Sequence, residues 1–163
     1  DVTNLPAKWH QQYLRDLYRD NRLVEPNALR IDNTPIDLGI VATPTYVQAG
    51  KEDHIAPAES VWRITDHFKG PLKFVLAGSG HIAGVVNPPE SGKYQYWTND
   101  GSPRSLAEFR DGAEEHPGSW WPDWIDWLRE QDGATVAVTG KRQPGGKGDK
   151  VIEDAPGRYV AAR

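Results

Sequence analysis

From Asn4 to about Leu23, the apolar residues Leu5, Trp9, Tyr13, Leu14, Leu17 and Tyr18 recur at steps of three and four. Arg15, Asp16, Arg19 and Asp20 take the rest of the wheel. This spacing predicts one amphipathic helix, with Asn4 as N-cap and Pro6 in the first turn, where its missing N–H costs nothing. Ala28 to Leu38 reads as two short extended pieces about an Asp32-Asn33 turn, either a hairpin or a connector. The period changes at Ile40. Ile40 to Gly50 is β-branched and apolar on both parities, as suits a strand buried on both faces, with Pro44 at its start or on an edge. A helix is predicted from about Pro57 to Phe68, burying Val61, Trp62, Ile64, Thr65 and Phe68 and stopped by Gly70-Pro71. Leu72 to Ala77 is a second short strand, so the order strand, helix, strand predicts a parallel βαβ unit and an α/β fold class. Asn87-Pro88-Pro89 and Ser91-Gly92 read as a loop, and Ser102-Pro103 opens a helix to about Glu115. A further helix runs from about Trp121 to Gln131, with Gly133 as its stop signal. In the last thirty residues, Gly140 and Gln143 to Gly148 read as a loop between two weak strands, and no internal repeat is found.

Composition changes this picture in three ways. The 163 residues suit one domain, but Leu, Ile, Val and Phe make up only about a fifth of them, so seven Trp must supply an unusual share of the core. No apolar run approaches the ~20 residues of a membrane helix, and Asp1 to Asn4 lack the basic-then-apolar order of a signal peptide. A formal charge of −4 gives no electrostatic reason to expect nucleic acid or an anionic membrane as partner. The absence of Cys excludes disulfides, thiolate metal sites and a cysteine nucleophile within these residues. The absence of Met, with Asp1 first, reads as a piece of something longer.

Two residues stand where open α/β sheets gather their chemistry, just past the carboxyl ends of strands. They are Asp53, after the first strand of the βαβ unit, and His81, after the second. In a catalytic triad an acid orients an imidazole and stabilises its protonated form, while the imidazole takes the nucleophile's proton. No serine here lies in Gly-x-Ser-x-Gly: Ser79 has Gly78 and Gly80 beside it, but Ala77 and His81 at the outer positions. Half a triad is visible. The residues alone equally admit Asp53 as a cap of the following helix and His81 as an ordinary loop residue. His10, His54, His67, His81 and His116 show no paired spacing for a metal, and none is expected. Gly140 to Lys147 fails as a phosphate loop, because Gly145 is followed by Gly146 and no Ser or Thr comes next. The Trp120-Trp121-Pro122-Asp123-Trp124 cluster is read as core in preference to a sugar-stacking or protein-binding platform.

Several segments together resemble the C-terminal part of class I poly(3-hydroxyalkanoate) synthases. They are Asp1 to Leu5 with Tyr13-Leu14-Arg15, Pro44-Thr45-Tyr46 leading to Glu52-Asp53-His54-Ile55-Ala56-Pro57, and Ser79-Gly80-His81-Ile82-Ala83-Gly84-Val85-Val86-Asn87-Pro88-Pro89. Trp97-Thr98-Asn99-Asp100, Gly118-Ser119-Trp120-Trp121-Pro122-Asp123-Trp124 and Ala155-Pro156-Gly157-Arg158-Tyr159-Val160 complete the set. The resemblance implies the C-terminal portion of an α/β-hydrolase fold, with residues 1–38 as cap-region helix and connector and 39–163 as part of the catalytic core. It implies an acyltransferase that polymerises (R)-3-hydroxyacyl-CoA into polyester with release of CoA, through a Cys-Asp-His triad. Asp53 and His81 fall on the acid and the histidine, and the cysteine lies in an upstream part that this chain lacks. It further implies no cofactor, a homodimer of the full enzyme, and a cytoplasmic place at the surface of polyester granules. His54 is then structural or a wall of the substrate channel. Asp53 either orients His81 or activates the incoming 3-hydroxyl group. Two rival readings are half of an esterase-like hydrolase, and a non-catalytic assembly module that associates through an exposed sheet edge.

Overall fold

A computed structural model describes residues 4–137 and 150–161. The chain divides into two units, Asp1–Gln131 and Asp132–Arg163.

The first unit opens with α1 (Ala7–Tyr13), which runs on as a wider turn over Leu14–Arg19 and a 3-10 turn at Arg22–Val24. The N-cap is Pro6 and no side chain caps it, so Asn4 does not take the role expected of it. Trp9 and Tyr13, one turn apart, stack at 5.5 Å. Of the predicted face, Trp9, Tyr13 and Leu17 line a groove shared with Leu23, Leu29, Ile31 and Ile36, while Leu5, Leu14 and Tyr18 are exposed outside it. Ala28 to Leu38 contains a hairpin, β1 (Arg30–Ile31) antiparallel to β2 (Thr34–Pro35). Its turn residues Asp32 and Asn33 both have positive φ, 46° and 63°, which Asp and Asn tolerate through their short polar side chains.

The strand expected from Ile40 starts only at Thr45. Leu38–Ile40 forms a 3-10 turn whose Gly39 N–H donates to the Asp37 carboxylate, and Pro44, having no N–H, cannot donate to the parallel ladder. β3 (Thr45–Gly50) and β4 (Leu72–Ala77) pair in parallel, Val47 opposite Phe74. The crossover contains α2 (Ala58–Trp62), which tightens into a 3-10 turn over Arg63–Asp66 and so ends its α-helical part earlier than predicted. The rest of the sheet departs from the sequence reading. β5 (Gln95–Thr98) pairs antiparallel with β4, and β6 (Glu114–Pro117) antiparallel with β5, giving the order β3-β4-β5-β6. The sheet is therefore mixed, with one parallel pair among the described strands. The helix expected from Ser102 to Glu115 is α3 (Leu106–Asp111) alone, with the Ser105 hydroxyl accepting from Glu108 N–H; Gly112 ends it and Glu114 is already strand.

Alternate residues divide the core between the two faces of the sheet. Val47, Ala49, Phe74 and Leu76 face α2 and α3, packing with Ala58, Leu106 and Phe109. Val75 and Ala77 face the other way, onto Trp120. There α4 (Trp121–Gln131) lies across Tyr46 and Lys73, whose hydroxyl and ammonium both reach the Asp123 carboxylate, at 2.7 and 2.6 Å. Burial, followed by the hydrogen bond to Asp123, raises the Tyr46 pKa far above its ordinary value, so Tyr46 stays a donor. The Trp cluster is only partly core: Trp120 is buried, while Trp124, Ile125 and Leu128 remain exposed.

In the second unit Arg158–Ala161 forms a 3-10 turn, and Arg158 pairs with Glu153. No strand occurs among its described residues, so the two weak strands expected there are absent from them. The Gly140 to Gly148 loop lies outside the described residues.

Candidate active site

The ladder of β3 and β4 does not stop where the strands do. Lys51 N–H donates to the Ala77 carbonyl at 2.8 Å, and Glu52 N–H to the Ser79 carbonyl at 3.1 Å, so the two following loops are zipped together. Asp53 stands on the first and His81 on the second. This close approach leaves little room at Gly50, where a Cβ would meet Asp53 Cβ at 3.1 Å and the Ser79 carbonyl oxygen at 3.2 Å. Ser79 itself takes φ 88°, a conformation costly for a residue with a side chain and of the kind found at functional loops.

Asp53 and His81, 28 residues apart, meet at 2.9 Å between Oδ2 and Nδ1. Oδ1 accepts the backbone N–H groups of Ile55 and Ala56, each at 2.9 Å. Asp53 does not cap α2, whose N-cap is Pro57 with no side-chain bond; one of its oxygens instead closes the turn before that helix and the other meets the imidazole. Only 7% of the Asp53 side chain is exposed, against 47% for His81. The Ala56 N–H, with His81 and the Ile55 N–H behind it, holds the Asp53 carboxyl below the usual carboxylate range against the opposing effect of desolvation. An ionised carboxylate can only accept, so the proton between them sits on Nδ1 and Nε2 of a neutral His81 is the basic nitrogen.

The lowered pKa carries a pH signature. A carboxyl depressed in the folded state contributes stability that is complete above its unfolded value of ~3.9 and disappears as pH falls through the lower folded value. The stability gap between the protein and its Asp53→Asn variant, measured by urea unfolding, is expected to narrow as pH falls below about 4. A gap that stays unchanged below about pH 4 would contradict this assignment.

The other sequence candidates do not converge on the pair. His54 is exposed and takes no part in the Asp53–His81 hydrogen bond, and His116 bonds the Thr98 hydroxyl and stacks on Tyr96. No cluster suited to a metal ion occurs among the described residues. Sequence reasoning missed the surroundings of His81. Ile55, Ile82 and Val86 present exposed apolar side chains along the same two loops. The indole N–H groups of Trp120 and Trp121 donate to the carbonyls of Gly84 and Val85, at 2.9 and 3.0 Å. The Gly-Ser-Trp-Trp run was visible, but backbone carbonyls as its partners were not.

No protein-family profile matches the chain. Curated relatives match it along its whole length. It is 45% identical over 163 residues to the poly(3-hydroxyalkanoate) polymerase subunit PhaC of Cupriavidus necator, covering 27% of that protein. It is 45% identical to the protein of the same name from Rhizobium etli, covering 25% of it. To poly(3-hydroxyalkanoate) polymerase 1 of Ectopseudomonas oleovorans it is 36% identical, covering 29%. The chain spans about a quarter of the length of these relatives and is the counterpart of a C-terminal part of them, as its resemblance implied.

Proposed function

We propose that this chain is the acid–base portion of a poly(3-hydroxyalkanoate) synthase, supplying Asp53 and His81 to a cysteine carried by polypeptide outside this sequence. The observation that carries the reading is the 2.9 Å contact between Asp53 and His81 at neighbouring strand ends, in a chain 45% identical to a polymerase subunit. His81 Nε2 takes the thiol proton, and the thiolate attacks the carbonyl carbon of an (R)-3-hydroxyacyl-CoA. CoA leaves as the thiol, carrying the proton from His81, and the acyl group remains on sulfur. His81 then takes the proton of a 3-hydroxyl group as that oxygen attacks the thioester, which forms the ester bond of the growing polyester and frees the cysteine. Asp53 orients the imidazole and stabilises its cationic form. That role is favoured over activation of the hydroxyl, because both of its oxygens are already engaged.

In this reading residues 1–38 are cap region and 39–163 part of an α/β-hydrolase core. β3 supports it: none of its residues is exposed, as in a central strand, yet it ends the sheet of described strands, leaving one edge for a further parallel strand. The substrate partners are the acyl-CoA and the growing chain, and the complete enzyme works as a homodimer at the surface of cytoplasmic polyester granules. No helix among the described residues is long and apolar enough to cross a membrane.

The chain alone is expected to release no CoA from (R)-3-hydroxybutyryl-CoA. Joined to the cysteine-bearing part of its polymerase it is expected to release CoA and form polymer. Release by the chain alone would overturn the missing-nucleophile reading. Hydrolysis without polymer by the joined protein would favour the esterase reading, and inactivity of a folded joined protein the assembly module.

A further inference from the structure

His81 is poorly anchored by its own side chain, of which nearly half is exposed. Its position is set by the backbone of the loop that carries it. After His81 the chain makes a tight turn, with Gly84 N–H donating to the Gly80 carbonyl at 2.9 Å and Val86 N–H to the Ile82 carbonyl at 2.8 Å. At Gly84 a Cβ would come within 2.7 Å of the Gly80 oxygen, so the turn is as close as glycine permits. The next two carbonyls, Gly84 and Val85, point out of this turn and receive the two indole N–H groups of Trp120 and Trp121. These donors are fixed in turn. Trp120 is buried on Val75 and Ala77 and stacks with Tyr46 at 6.0 Å, while Asp123, one turn along α4, takes hydrogen bonds from Tyr46 and Lys73 on the two parallel strands. The strands that deliver Asp53 and His81 at their far ends therefore also hold, through α4, the clasp on the His81 turn.

We propose that Trp120 and Trp121 are positioning residues, whose N–H bonds to the Gly84 and Val85 carbonyls hold the turn so that His81 Nδ1 stays on Asp53 Oδ2. Its catalytic consequence rests on the polymerase reading, whereas its structural content can be tested without activity. Indole is suited to this work because its one N–H sits at the end of a rigid, largely apolar body, so a donor can be delivered from a packed helix to a backbone carbonyl at fixed reach.

The test is the ring of His81 in the ¹⁵N-labelled chain, read by long-range proton–nitrogen spectra, with Trp120→Phe and Trp121→Phe each removing one N–H while keeping an aromatic ring. The parent chain is expected to show the Nδ1–H form with a hydrogen-bonded ring proton. Each variant is expected to lose that proton signal and shift toward the Nε2–H form, with circular dichroism and the ring signals of the other four histidines unchanged. In the complete polymerase kcat is expected to fall by about 10- to 100-fold, with KM for acyl-CoA unaltered. Trp121, half-buried, decides the matter if Trp120→Phe fails to fold. Parent-like ring spectra in the folded variants would overturn the clasp and leave the polymerase reading standing. A parent spectrum lacking the bond to Asp53 would overturn both.

Discussion

If the chain is the acid–base portion proposed above, Asp53→Asn in the complete polymerase is expected to lower turnover by about 10³- to 10⁴-fold while leaving the fold in place. The amide keeps an oxygen to accept the Ile55 and Ala56 N–H groups, so the turn before α2 survives. What changes is the group facing His81. An NH₂ now stands 2.9 Å from Nδ1, and two donors cannot share that contact, so the ring is driven to the tautomer with its proton on Nε2. A nitrogen already protonated cannot accept a proton from a thiol. The substitution also removes the charge that stabilises the imidazolium as it forms. Initial rates of CoA release, measured beside His54→Gln, provide the check. His54 is exposed and outside the hydrogen-bonded couple, so its replacement is expected to cost far less. Comparable losses for the two variants, or a larger loss at His54, would remove Asp53 from its role.

Phe109→Ala is expected to destabilise the first unit by about 3–5 kcal/mol. Phe109 is 1% exposed and joins three elements. Its ring meets Phe74 of β4 edge-on at 5.1 Å and Trp62 of α2 at 5.7 Å, and it stands on α3. Its aliphatic neighbours Val47, Leu76 and Leu106 are fixed by the sheet and by α3, so they close only part of the cavity. Against a total of about 5–15 kcal/mol for an ordinary domain, such a loss is large. Thermal unfolding should show a fall of about 12–20 °C, at roughly 4 °C per kcal/mol for a unit of this size. A loss below about 1 kcal/mol would mean that Trp62 and Phe74 close over the gap.

Those same rings explain which parts of the molecule could be read from the chain. The β3 and β4 strands, their crossover and the placing of Asp53 and His81 were legible because two apolar runs, separated by a helical period, can bury themselves in few ways. α4 was legible for the same reason, down to its ends. β5 and β6 were not. Gln95–Thr98 is four residues long, and what makes it a strand is Leu76 opposite Trp97 and Glu115 on its other side, contacts that depend on the finished sheet. Glu114 and Glu115 carry charges that suit a helix end as well as a sheet edge, so local preference could not separate them. Within the site, the pair was legible as two residue types at two strand ends. The indole clasp was not, since its acceptors are main-chain carbonyls and leave no mark on the sequence beyond a glycine.

The extension of the β3–β4 ladder into the two loops bears on how the site meets its substrate. Because Lys51 and Glu52 are bonded across to Ala77 and Ser79, the main chains that lead to Asp53 and His81 are held side by side by bonds that belong to the sheet, and the indole bonds set the turn beyond them. The entropy of bringing acid and base together is thus lost when the chain folds, and none of it remains to be lost when a substrate arrives. This face of the site behaves as a stiff wall. In the polymerase reading, whatever yields to acyl groups of different size must lie elsewhere, in the cap or in the polypeptide that brings the cysteine, and breadth of substrate choice becomes a property of those moving parts.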